Sequence, residues 1–169
     1  ALKVASHDWI AFIDSDDLWT KDKLKEAVQE IKKNGSLNCV LHRQIYLKKN
    51  KKKKYFDFDK YYNPNKQVKN QLFKTNFFAM STIVIKKKLI IDNGGFSELF
   101  QNAQDYDLWL RIGNGFRILI IKKYLGYYVE RSGNITSRPY HQKIKNIFFI
   151  LYKNRNDVNY FILLYRFIR

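Results

Sequence analysis

Acidic residues are scarce in this chain of 169 residues, with 15 Asp and Glu against 32 Lys and Arg and a formal charge of +17. Such a balance favours polyanionic partners, whether nucleic acid, an anionic membrane surface or phosphorylated small molecules, without choosing among them. Cysteine is nearly absent. The single Cys39 excludes an internal disulfide and suits a reducing compartment. Long apolar runs are missing too: the longest, IFFILY and YFILLY, have six residues each. A membrane-crossing helix needs about 20. The opening ALKVASHDW lacks the apolar core of a secretory signal and has no initiator Met, so a truncated start is expected. Glycine numbers only 7, and GNG at 113–115 reads as a turn, leaving no glycine-rich phosphate loop. The three histidines, His7, His42 and His141, are scattered without metal-ligand spacing and read as surface or boundary residues.

What is present is a folding sequence. It is 46% hydrophobic and 17% aromatic, too apolar for a disordered polymer, and long enough to bury a core. WIAFI (9–13) is a short apolar run of the kind that forms a buried strand. Leu24, Ala27, Val28 and Ile31 then recur at helical spacing, closed by Asn34-Gly35. NCVLHRQIYL reads as a strand, and the lysine run at 48–54 as a solvated hairpin tip. VKNQLFKTN reads as a helix, STIVI as a strand and KKKLIID as a short helix. A turn at NGGF, a helix at QDYDLWLRIG and two strands, FRILII and YLGYYV, complete an α/β rhythm. Beyond Pro139, Ile144, Ile147, Phe148 and Leu151 form one apolar stripe, and Val158, Phe161, Ile162, Tyr165 and Ile168 a second.

Against this basic background, WIAFIDSDDLW places Asp14, Asp16 and Asp17 directly after a strand. Clustered like charges cost free energy unless something positive shares them. Asp14 and Asp16, one residue apart in an extended segment, point the same way and suit a hard cation that also meets phosphates. The alternative is a solvated turn capping the next helix. A second acidic pair, Asp105 and Asp107, opens QDYDLWLR, where the helix dipole by itself favours acids.

Together, ALKVASHDWIAFIDSDDLW and the later NGGFSELFQNAQDYDLWLR resemble the family 2 glycosyltransferases over residues 1 to about 137. The resemblance implies a partial α/β fold of the GT-A (nucleotide-diphospho-sugar transferase) type. A mixed sheet would be flanked by helices, lacking the N-terminal nucleotide-binding strands. Residues 1–137 would be a partial catalytic domain, holding the metal-site strand and the acceptor half, and 138–169 an amphipathic helical tail. The implied reaction is metal-dependent, inverting transfer of a sugar from a nucleotide-diphospho-sugar to a hydroxyl of a glycan or lipid-linked acceptor.

By the same resemblance, Asp14 and Asp16 would lie at the donor diphosphate with Mg²⁺ or Mn²⁺. Asp17 would support the loop on the donor side, and Arg131 would meet a phosphate. Asp105 would be the general base, with Asp107 and Trp109 on the acceptor side, although Trp109, a full turn inside its helix, reads as core sooner than as a sugar platform. Arg111 remains open between phosphate binding and helix capping. The family setting is bacterial polysaccharide or surface-glycan assembly in the cytoplasm, with a fragment this short expected to be inactive alone. The basic tail adds peripheral contact with the anionic inner face of the cytoplasmic membrane as an alternative to ordinary packing.

Three departures stand out. The strand–turn–helix unit that would hold the nucleoside base is expected to lie outside these residues. Val129, Glu130 and Arg131 stand where related sequences often carry Arg and His, and Gln104 stands where they often have Glu. Two other readings stay open: an inactive interaction remnant, and a basic nucleic-acid-binding module. The second lacks any binding signature, so no nucleic acid is expected.

Overall fold

The computed structural model describes residues 2–50, 52–100, 102–131 and 140–168. Its sheet is mixed. β1 (Trp9–Ala11), β2 (Leu18–Trp19), β3 (Cys39–Leu47), β4 (Lys53–Phe56), β5 (Val84–Lys86) and β6 (Ile118–Val129) run in the order β1-β5-β3-β6-β2, with β4 added to β3. The long strands β3 and β6 are parallel, and every other pairing is antiparallel. The helices are α1 (Lys23–Lys33), α2 (Val68–Lys74), α3 (Lys87–Asp92), α4 (Gln104–Ile112), α5 (Tyr140–Lys153) and α6 (Tyr160–Ile168).

Alternation along β3 divides the apolar residues between the two faces of the sheet. Cys39 and Leu41 join the larger core with Leu72 and Phe73 of α2, Leu108 and Trp109 of α4, and Ile150 and Leu151 of α5. Val40 points the other way, into a smaller cluster with Ala27 of α1, Leu37, Val84, Ile121 and Leu125. Helices therefore cover both faces, as expected. The two helices after Pro139 contribute to the same core, and the expected boundary at 137 falls outside the described residues.

Three local expectations change. FRILII and YLGYYV are one strand of 12 residues, not two. Register shifts against His42, Arg43 and Gln44 absorb the extra residues, so the exposed Lys122 and Lys123 bulge outward while pairing continues. In α1 the inward row is Lys23 and Ala27, with Ile31 packed beside them, while Leu24 and Val28 are about half exposed. The reason is chemical: the Lys23 ammonium finds a carbonyl inside the fold, so a lysine takes an inward place. His42 is buried, not at the surface. His141 belongs to α5, and its side-chain surroundings lie outside the described residues.

Candidate active site

Asp14 to Asp17 form a tight turn, with the Asp17 N–H donating to the Asp14 carbonyl at 3.0 Å. This replaces the extended segment expected there. β2 follows at once and pairs with β6, Leu18 opposite Tyr127 and Trp19 opposite Gly126. The turn is anchored by Ser81, which sits in a short 3₁₀ helix before β5. The Asp14 N–H donates to Ser81 Oγ at 3.0 Å. The Ser81 carbonyl accepts from Trp19 Nε1 at 2.8 Å and from Lys23 Nζ at 2.6 Å. Lys23 Nζ also lies 3.6 Å from the centre of the Trp19 ring, a cation–π contact.

The three carboxylates have separate environments. Asp17 is buried, and its carboxylate accepts hydrogen bonds from the side chains of Ser81 and Gln44 and from the Val129 N–H at 3.3 Å. With its lone pairs committed to protein donors, Asp17 holds the turn. Asp14 is exposed and Asp16 half-buried. Although Asp14 keeps much of its surface in water, partial desolvation by the surrounding fold, then the charges of Asp17, Asp16 and Asp105, push its carboxyl above the ordinary carboxylate value. The Asp105 contribution brings together two motifs far apart in sequence.

Asp105 lies in the first turn of α4, next to a strained residue. Ala103, which precedes the helix, has φ 58°, a left-handed conformation unusual for a side chain with a Cβ. Such strain persists where surrounding contacts over-determine it, often beside functional groups. The half-buried Asp105 carboxyl is raised by burial, which outweighs the N–H groups of Tyr106 and of its own backbone.

Asp107 and Trp109 differ from the acceptor-side expectation because both are fully buried. Asp107 pairs with Arg111 Nε at 2.8 Å, accepts from Asn154 Nδ2 at 3.1 Å, and lies 3.5 Å from Lys153 Nζ. Trp109 sits among the rings of Phe78, Phe96 and Phe116 and presents no face to a ligand. Arg111 donates to the Asn93 carbonyl and, at 2.6 Å, to that of Gly95. Its guanidinium thus fastens the NGG turn, where Gly94 and Gly95 both take positive φ, to α4. This explains why NGGF and DYDLWLR occur together. Arg131 is exposed just beyond β6.

Among the described residues no group of three or more His, Cys, Asp and Glu side chains converges as a metal cage. A magnesium-type site does not need one, since one or two carboxylates with water and substrate phosphates suffice. Asp14 and Asp16 are hard oxygen donors in a repulsive cluster that a cation relieves, so the residues present fit such an ion. Ser81, Lys23 and Gln44 went unread in the sequence. Their roles depend on contacts over long separations, and a lysine in an amphipathic helix reads as solvated.

An acidic turn after β1 and an acid-bearing first turn of α4 thus belong to one mixed α/β fold flanked by helices. The chain belongs to the glycosyltransferase-like family 2, whose model matches residues 2–168. It is 32% identical over 118 residues to the Escherichia coli UDP-Glc:alpha-D-GlcNAc-diphosphoundecaprenol beta-1,3-glucosyltransferase WfgD, covering 66% of this chain and 41% of that protein. A glycosyltransferase of Methanocaldococcus jannaschii is 26% identical over 147 residues, 85% of this chain and 50% of its own length. The crystal structure of S. aureus TarS 1-349 superposes with a TM-score of 0.58 at 25% identity, covering 76% of this chain and 37% of that one. The chain thus spans half or less of the length of these relatives.

Proposed function

We propose that the whole protein transfers a sugar from a nucleotide-diphospho-sugar to a hydroxyl of a glycan or lipid-linked acceptor, with inversion, in polysaccharide or surface-glycan assembly. One observation carries this reading: the Asp105 carboxylate is close enough to the Asp14–Asp17 turn for its charge to raise Asp14. A base and a donor-phosphate site must share one space for a single displacement. In that reaction Asp105 accepts the proton of the acceptor hydroxyl while its oxygen bonds to the anomeric carbon. The bond from that carbon to the diphosphate breaks, and its electron pair leaves with the nucleoside diphosphate. A carboxylate held above its ordinary pKa by burial is a stronger base for this step. Asp14 and Asp16 would hold Mg²⁺ or Mn²⁺, an ion that would supply charge neutralisation for a departing diphosphate. Arg131 is placed at the donor phosphates in this scheme. Asp107 and Trp109 instead support α4 from within the core.

The reading extends to a cytoplasmic enzyme whose α5 and α6 rest on the anionic inner face of the membrane. The biosynthetic setting is supported by the relatives, among them an Erwinia amylovora amylovoran biosynthesis glycosyltransferase.

Asp105→Asn in the whole protein should abolish transfer while donor affinity changes only a few-fold, because base and diphosphate are separate contacts. Radiolabelled-sugar transfer and calorimetric donor titration would measure the two effects. Retained turnover in Asp105→Asn would remove the base from this position.

A further inference from the structure

Beside the acidic turn lies an open cleft of 260 Å³ that the transfer scheme does not use. Its aromatic wall comes from β3, β4 and β6. Tyr46 stacks on Tyr128 with ring centres 5.0 Å apart and planes at 12°, and Phe56 meets Tyr46 edge-on at 6.0 Å. Phe58 stacks against Phe56, and Phe78 closes the far side, leaning on Trp109 of α4. Two amides, Gln44 and Asn76, complete the lining with Ala79. The wall is fixed by its surroundings. The Tyr46 hydroxyl is hydrogen-bonded to the Glu130 carboxylate, and Glu130 in turn accepts from the Lys49 N–H at 3.1 Å.

We infer that this cleft holds one sugar ring of the acceptor, stacked on the aromatic wall and bonded through the amides of Gln44 and Asn76. The inference rests on the transferase reading and deepens it.

Three observations carry it. First, none of the lining side chains is charged, so a donor diphosphate would find no cation there. Second, one residue links the cleft to the acidic turn: Gln44 lines the cleft and also hydrogen-bonds Asp17. Third, the chemistry is two-sided. The negative faces of aromatic rings attract the weakly positive C–H faces of a pyranose, while amides satisfy the hydroxyls at its edge. The Gln44 amide already meets Asp17 and the Asn76 carbonyl accepts from the Phe78 N–H at 3.2 Å, so each amide has bonding capacity left that a sugar hydroxyl can use and a polyprenyl chain cannot. The volume is below the range of roughly 300–1,000 Å³ for sites that engulf drug-sized ligands, which suits a single ring.

The test uses saturation-transfer difference NMR on the 169-residue chain. The probes are methyl β-D-glucopyranoside, the methyl glycoside of N-acetylglucosamine and farnesyl phosphate, each at about 10 mM to reveal millimolar binding. We expect transfer to the ring C–H protons of a glycoside, reduced about fivefold in Tyr46→Ala, where the stacking face is lost. Tyr46→Phe, which keeps the ring, should retain the signal. Tyr55→Ala, outside the cleft on β4, should also retain it. Ala79→Phe should block the cleft without removing any packing, which covers the case that Tyr46→Ala fails to fold. No glycoside signal in the wild type, an unchanged signal in both Tyr46→Ala and Ala79→Phe, or saturation of farnesyl phosphate alone would overturn the proposal. Binding needs neither donor nor turnover. Glycoside binding as expected, in a whole protein without transfer activity, would therefore sink the transferase reading and leave the sugar site. Intact transfer, with acceptor KM unmoved by Tyr46→Ala, would sink the cleft alone.

Discussion

His42 shows how burial sets the behaviour of a single residue. It is 2% exposed, with Nδ1 2.8 Å from the Arg43 carbonyl. A carbonyl can only accept, so Nδ1 carries the proton and Nε2 is a buried acceptor with no partner among the described residues. Burial, with the nearby Lys23 charge, lowers its pKa from 6.5 to about 4. In the unfolded chain His42 takes up a proton below pH 6.5, and in the folded chain only near pH 4. Stability is therefore retained above pH 6.5 and lost as the pH falls towards 4, by about 3 kcal/mol from this group. His42→Gln, which does not titrate, should lose about that much less between the two pH values in urea unfolding; equal losses would refute the assignment. Nothing in NCVLHRQIYL announces such burial, because His is common at boundaries. By contrast, Asp14, Asp16 and Asp105 stand out in the sequence as acids in a basic chain whose order resembles a family pattern, and their role remains the proposal made above. Lys23, Ser81 and Gln44 do not stand out, because each acts through a partner that only the folded chain brings near.

At the scale of elements, β2 is the weak link on which the acidic turn depends. It is only two residues long, and it pairs with β6 at Gly126, the point where β6 has just passed its bulges. A Cβ at Gly126 would lie 3.1 Å from the Leu18 carbonyl oxygen and 3.1 Å from His42 Cε1. Neither neighbour is free to move, one being backbone and the other a buried ring. Gly126→Ala should therefore destabilise the fold by about 1–3 kcal/mol, the usual cost of overpacking. Chemical denaturation would measure it, and a loss below about 0.5 kcal/mol, the range of neutral surface changes, would mean that β2 yields freely. The strands and helices themselves were largely legible, because apolar spacing and the Asn34-Gly35 and NGGF turns mark their ends. The continuity of β6 was not. Lys122 and Lys123 read as a break between two strands, whereas a bulge lets charged residues leave the sheet without ending it. The inward face of α1 was misjudged for a related reason: periodicity ranks Leu24 and Val28 above a lysine, but a carbonyl partner reverses that order.

At the scale of the molecule, charge and apolar surface meet on the C-terminal helices. α5 and α6 are held to the body by Ile150, Leu151, Ile162 and Leu163 and by the bond from Asn154 to Asp107, so part of each stripe is ordinary packing. A second set of large apolar residues faces outward: Phe148, Phe149, Tyr152, Tyr160 and Phe161 are all more than half exposed. Lys145, Lys153 and Arg155 are exposed beside them. No helix among the described residues is long and apolar enough to cross a membrane. Aromatic side chains bordered by cations suit the headgroup region of an anionic bilayer, where apolar insertion and charge attraction add. The two contributions separate experimentally. Charge attraction should weaken above physiological salt, where the screening length falls below about 8 Å. Phe161, at 76% exposure, can be changed without opening the core. Phe161→Ser should cost about 1.5–3 kcal/mol of membrane binding if the ring is buried in lipid, roughly a tenfold or greater loss. Removing the helices altogether would be a poor test, because Ile150 and Asn154 belong to the core that supports α4. Co-sedimentation with phosphatidylserine vesicles, at low and high salt, compares the intact chain with Phe161→Ser. Binding that is lost in high salt and weakened by the substitution supports a membrane-resting face, placing lipid-linked acceptors within reach of Asp105. Equal sedimentation of the two proteins, or none at low salt, would leave this face without a lipid role.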